Sequence, residues 1–179
     1  MLTYSEMAEK LKTQLKPSRY QHSLNVVETA IRLADTYGAD VEKCRTAALL
    51  HDCAKSMNRD EMLTVIEENG IVLLDGESEV EQILHAPAGA ALARTEYGIT
   101  DKEVLSAIRK HTVGANNMSL VEAIVFTADF IEPGRREFEG LDNVRELAFT
   151  DLYAAVEECT RLTNEYCRKQ GKTVFGGVN

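Results

Sequence analysis

The stretch ALLHDCAK, Ala48 to Lys55, ends an apolar helical run on an adjacent histidine and aspartate. Both His51 and Asp52 are capable of ligating a metal. A carboxylate at the end of a buried helix is costly unless it is paired, hydrogen-bonded or bound to a cation. In SRYQHSLNVVETA, Val26, Ala30 and Leu33 continue the side of the helix that carries His22, so this imidazole faces apolar neighbours. His51 follows Cys44, Ala47 and Ala48 along its own face, and Asp129 sits in VFTADFIE among Val125, Phe126 and Ile131. Two buried imidazoles and two buried carboxylates solve their solvation problem together around one divalent metal. Histidine and aspartate suit iron, manganese or zinc better than calcium. The plainer account of each residue is a core hydrogen bond, with Arg45 near enough in sequence to pair with Asp52. It serves for any one residue, but a shared metal accounts better for the set.

A divalent metal lowers the pKa of a bound water from about 15.7 toward 7 and polarises a phosphoryl oxygen. Phosphoryl transfer needs mainly such positioning and charge stabilisation. Cations tethered near the proposed ligands fit that chemistry. Arg19 precedes His22 by three residues, Lys55 follows Asp52 by three, and Arg135 follows Asp129 by six. Thr112 adds a hydroxyl beside His111. For each cation the alternative is an ordinary solvated surface charge.

Helices must carry these residues. Thr3 with Glu6 is a capping box that opens a first helix ending near Lys16. Pro17 and Ser18 restart the chain toward Tyr37, with Leu24, Val27, Ile31 and Ala34 at helical spacing and Gly38 as the stop. Asp40 caps a third helix running into His51. Asn58 with Glu61 opens another, closed by Gly70. Thr100 with Glu103 opens ITDKEVLSAIRKH, Ser119 with Glu122 opens SLVEAIVFTADFIE, and Pro133 ends that segment. Thr150 caps a long final helix stopped by Gly171. Only IVLL, Ile71 to Leu74, has strand character, and GRREFEGLDN is expected to be a charged loop. Start and stop signals that agree with the apolar period predict an all-α fold.

The 179 residues suit one domain, 1–179, with a core of useful size. The hydrophobic fraction is 44%, and no apolar run approaches the ~20 residues that span a bilayer. The polar N-terminus lacks a signal-peptide core, so a cytoplasmic location without membrane partners is expected. Cys44, Cys53, Cys159 and Cys167 form no C-x-x-C pair, which disfavours a zinc knuckle and fits reduced thiols. The net charge of −9 argues against a nucleic-acid-coating surface but leaves room for an anionic small ligand.

The order His22, His51-Asp52, Asp129 resembles the H…HD…D signature of the HD-domain metal-dependent phosphohydrolases. The words RYQHSLNV, AALLHDCAK, ILHAPAGA, IRKHTVG and ADFIEPGR, in that order, resemble the YqeK-type members, which are bacterial symmetrical diadenosine tetraphosphate hydrolases. The resemblance runs from Arg19 to the glycine-rich tail. It implies an HD-domain helical bundle, with His22, His51, Asp52 and Asp129 as metal ligands and iron as the expected metal, manganese, cobalt or zinc being alternatives. His85 and His111 match two further histidines that face the site, where they bind a second metal or phosphate, or act as acids if protonated. Asp52 would also orient the attacking water.

The resemblance also gives the tail, residues 171–179, a role. Backbone N–H groups of glycine-containing loops approach phosphates closely, and Lys172, Thr173, Phe175, Gly176 and Gly177 are expected to close over a nucleotide, with Phe175 near a base. The implied reaction cuts diadenosine tetraphosphate at its central bridge to two ADP, and the implied assembly is a homodimer. Three rival readings stand beside it. The chain could be an HD phosphohydrolase for another nucleotide or phosphoester, a di-iron HD oxygenase, or a nucleotide sensor that binds without turnover.

Overall fold

The cap residues and apolar periods resolve into helices in a computed structural model that describes residues 2–175. Nine α-helices are present among them: α1 Tyr4–Gln14, α2 Pro17–Tyr37, α3 Val41–Leu50, α4 Arg59–Glu68, α5 Glu81–Thr95, α6 Lys102–Lys110, α7 Leu120–Ile131, α8 Leu141–Ala148 and α9 Leu152–Lys169. The capping boxes at Thr3, Asn58 and Ser119 form as expected, each closed by its glutamate three residues on. Gly38 ends α2 in the left-handed region at φ 68°.

Helices α2, α3, α6 and α7 pack on one another around the main core, and α1, α8 and α9 cover its outer sides. Leu33, Leu49, Leu50, Ile108 and Ile124 are fully buried there. A smaller cluster of Ala54, Met62, Ile66, Leu84 and Ala88 joins α4 to α5. No strand occurs among the described residues.

The structure departs from the sequence expectation at five places. Helix α6 is capped by Asp101, not Thr100, because the Asp101 carboxylate accepts from the backbone N–H groups of Glu103 and Val104. Helix α9 is capped by Asp151, not Thr150, whose hydroxyl instead turns back onto the carbonyls of Glu146 and Leu147. Ionised aspartate answers the positive end of the helix better than a hydroxyl does. Ile71–Leu74 has no strand partner, and Val72 is left 86% exposed. Helix α8 begins at Leu141, inside the expected charged loop, because Leu141 and Val144 bury against the core.

The fifth departure is α5, which the sequence pattern left unassigned and which contains Pro87 and Gly89. Tertiary packing overrides their helix-breaking tendency. A side chain at Gly89 would begin 3.4 Å from the His51 carbonyl oxygen and 3.5 Å from Cys53 Sγ, so glycine lets α5 lie directly on the His51–Cys53 turn. The Cys53 thiol donates to the Gly89 carbonyl at 3.4 Å across that contact. The fully buried Glu77, just before α5, takes Arg109 of α6 in a two-pronged pair at 2.8 and 2.6 Å. His85 thereby arrives at a fixed height on α5.

Candidate metal centre

Helix α3 stops at Leu50, and the chain tightens into successive three-residue turns, with Cys53 N donating to Leu50 O and Lys55 N to Asp52 O. The tightening turns both His51 and Asp52 inward, where they are 0% and 2% exposed. Asp52 lies at the centre of the site. Its Oδ2 lies 2.9 Å from Arg19 Nη1, 3.4 Å from His51 Nε2 and 3.8 Å from His22 Nε2. Its Oδ1 lies 3.2 Å from His85 Nε2, 3.8 Å from His111 Nε2 and 3.9 Å from Lys55 Nζ. Asp129, on α7, faces the Oδ2 side, with its Oδ1 3.0 Å from His22 Nε2, 3.8 Å from His51 Nε2 and 3.2 Å from Arg135 Nη2.

Three imidazoles have their tautomers set from behind. His51 Nδ1 donates to the Ala48 carbonyl at 2.7 Å, His111 Nδ1 to the Ile108 carbonyl at 2.7 Å, and His22 Nδ1 to the Glu132 carboxylate at 3.2 Å. These acceptors have no proton to give, so each neutral ring presents a lone pair at Nε2. Those lone pairs crowd together. His22 and His51 bring Nε2 within 3.3 Å of each other, and both face carboxylate oxygens. Acceptors converging in this way require a cation among them, and His22, His51 and Asp129, like His51, Asp52 and His111, lie close enough together to hold a metal ion. The donor set of imidazole nitrogens and carboxylate oxygens suits a transition metal.

The electrostatics of the side chains point the same way. Burial pushes the His51 pKa down, but Asp52, Asp129 and the Ala48 carbonyl more than offset it and the pKa is raised. Burial works to raise Asp52 and Asp129, yet the surrounding imidazoles hold both well below the usual carboxylate range, with Arg135 adding to the effect at Asp129. His111 is driven down to about 3 by burial and by His51 and His85. His85 is lowered by burial and by Lys55, against the pull of Asp52. Both shifts favour the neutral ring, the form that ligates a metal.

The three expected cations split in their partners. Arg19 grips Asp52, and the Lys55 ammonium lies 3.0 Å from both ring nitrogens of His85. Arg135 donates to the Asp129 backbone carbonyl at 2.6 Å and leaves a buried Nε without a partner among the described residues. Thr112 Oγ1 is likewise buried and unpartnered. Arg45 does not serve Asp52, because it pairs with Glu42 and lies 4.2 Å over the Tyr4 ring. In the tail, the Lys172 ammonium lies over the Tyr166 ring at 5.2 Å, Thr173 is exposed, and the Phe175 ring lies against Gly76, in the turn before α5. Gly176 and Gly177 lie outside the described residues.

The residue patterns alone did not bring out Glu132, which is 3% exposed behind His22, nor Asn25, which donates to Glu132 at 2.9 Å. The available signal was the Glu-Pro-Gly turn that begins three residues after Asp129, with Asn25 three residues beyond His22 on the same helix face.

The HD domain family matches residues 19–134, a span that contains all six histidine and aspartate residues of the centre. The chain is 44% identical to the symmetrical bis(5'-nucleosyl)-tetraphosphatase of Halalkalibacterium halodurans, covering 92% of this chain and 87% of the relative. It is 42% identical to the protein of the same name from Bacillus subtilis, covering 92% and 88%. A crystal structure from Clostridium acetobutylicum, described as a predicted HD superfamily hydrolase involved in NAD metabolism, superposes with a TM-score of 0.92 at 40% identity over 97% of this chain and 91% of that one. With its four histidines and two aspartates gathered at one centre, the chain belongs to the HD domain family.

Proposed function

We propose that this protein is a metal-dependent hydrolase that cleaves diadenosine tetraphosphate symmetrically to two ADP. The observation that carries the metal-dependent part is Asp52, whose two oxygens face opposite ways, toward His22, His51 and Arg19 on one side and toward His85, His111 and Lys55 on the other. The tetraphosphate and the symmetrical cut rest on relatives at 40–44% identity that carry that activity in their names.

His22, His51, Asp52 and Asp129 would hold a divalent ion, iron being the first choice, and the split of Asp52 leaves His85 and His111 ready to hold a second. When bound, the ion supplies an acidified water and a polarised phosphoryl oxygen. Asp52, next to His51 in the chain, would both ligate the ion and orient that water. Arg135 directs its unpartnered Nε–H at a phosphate oxygen, and Lys55 and Arg19 offset the charge that builds on the bridging and leaving oxygens. Thr112 donates its hydroxyl to the same polyphosphate. The leaving ADP is a stable anion at neutral pH, so it needs these cations more than a proton. One ADP half is held by the protein, with Phe175 against it, while the other projects outward.

The test is anaerobic turnover of diadenosine tetraphosphate by iron-reconstituted protein, with products separated by chromatography and Asp52→Ala as control. Two ADP per substrate, lost in the control, is the expected result. AMP plus ATP would mean an asymmetric cut, and metal bound without turnover would remove this substrate.

A further inference from the structure

We infer that Glu132 is a positioning residue for the metal centre, acting through His22, and that Asn25 and Gly134 exist locally to hold it in place. The inference rests on the metal-binding reading of the centre and adds a residue that no ligand pattern includes.

Glu132 follows Asp129 by three residues, at the end of α7, and its carboxylate is nearly sealed from solvent. Such a group must be fully partnered. Its Oε1 accepts from His22 Nδ1 at 3.2 Å, and its Oε2 accepts from Asn25 Nδ2 at 2.9 Å and from the Gly134 backbone N–H at 2.6 Å. All three partners are placed to donate, and the carboxylate accepts on both of its oxygens. Gly134 is required by the same arrangement. A side chain there would begin 2.8 Å from Asn25 Nδ2 and 2.9 Å from Glu132 Oε2, closer than packed atoms approach. Asn25 is oriented in turn by Gln21, which donates to its Oδ1 at 3.0 Å, so its amide nitrogen faces Glu132.

The consequence falls on His22. His51 and His111 are set by backbone carbonyls of their own helices, which any sequence would supply. His22 alone of these three depends on a side chain 110 residues away. A carboxylate behind the ring holds the proton at Nδ1, frees Nε2 toward Asp129, and makes that nitrogen a stronger donor to a cation. Glutamine has the same shape but cannot satisfy the same partners. With its oxygen toward Asn25 and Gly134, its amide faces His22 Nδ1 and selects the opposite tautomer, with the proton at Nε2 where the metal must bind.

The first measurement is the affinity of Glu132→Gln for Mn²⁺ by competition with a chelator, beside wild type and with thermal melts of both. A loss of about 10- to 100-fold, with a cooperative melt retained, is expected. Metal affinity equal to wild type in the folded variant would overturn the inference, even if activity fell. A wild type that binds no metal would instead sink the functional reading beneath it. The second measurement needs no variant. Long-range ¹H–¹⁵N spectra of zinc-loaded wild-type protein should show His22 protonated at Nδ1. A proton at Nε2, or a zinc-bound Nδ1, would overturn the inference even if Glu132→Gln does not fold.

Discussion

His51 and Asp52 are neighbours in the chain but differ in what they ask of the fold. His51 needs one carbonyl behind it and gets Ala48 from its own helix. Asp52 needs partners on both sides and draws them from the cations Arg19 and Lys55 and from the imidazoles of His85 and His111, so its setting depends on the whole bundle. Arg135 places one nitrogen on Asp129 and keeps a buried Nε without a partner among the described residues, close to the centre. A charge-assisted hydrogen bond to phosphate is worth about 1.5–3 kcal/mol, close to a ten- to hundredfold change in binding. Arg135→Ala should therefore raise KM for the tetraphosphate by about 10- to 100-fold while the protein keeps its metal. Steady-state kinetics beside metal analysis decides this, and an unchanged KM would remove Arg135 from substrate binding.

Among the elements, α6 and α7 deliver His111 and Asp129, and Glu122 joins them. Its carboxylate takes Lys110 at 2.7 Å and the Ser106 hydroxyl from α6, while closing the Ser119 capping box of α7 at 2.9 Å. Burial tends to raise its pKa, but Lys110, Ser106 and the Ser119 N–H lower it below the ordinary 4.5. A lowered pKa contributes stability that is complete above 4.5 and is lost as the pH falls through the lowered value. Glu122→Gln should thus lose about 1–3 kcal/mol at pH 7, with the gap to wild type closing in acid. Urea midpoints at both pH values test this, and a gap independent of pH would contradict it. The Ser119 box was legible because its signal is local, as were those at Thr3 and Asn58. Helix α5 was not, since Pro87 and Gly89 become tolerable only against the His51 turn. The four residues His22, His51, Asp52 and Asp129 could be picked out by type and spacing, and the geometry brings them together. Glu132 escaped because its role depends on a partner 110 residues away.

Across the whole molecule the centre gathers side chains from α2, α5 and α7 and from the turns that end α3 and α6. A cation at their meeting point therefore ties together the helices that make the main core. The same acceptors sit far apart in an unfolded chain, so a metal that binds the native state shifts folding by mass action, by about 2.7 kcal/mol at a free concentration 100 times Kd. For a domain of this size each kcal/mol moves Tm by roughly 2–4 °C. Chelator-stripped protein should accordingly melt roughly 5–10 °C lower than the same protein with Mn²⁺ restored, and the difference should grow with the logarithm of metal concentration. Asp52→Ala removes the carboxylate that faces both sides of the centre and should abolish most of that dependence. Differential scanning calorimetry across a metal titration measures it directly. A melting temperature indifferent to metal in the wild type would mean that the converging lone pairs are satisfied by protons alone, and the centre would then be a structural hydrogen-bond cluster rather than a metal site.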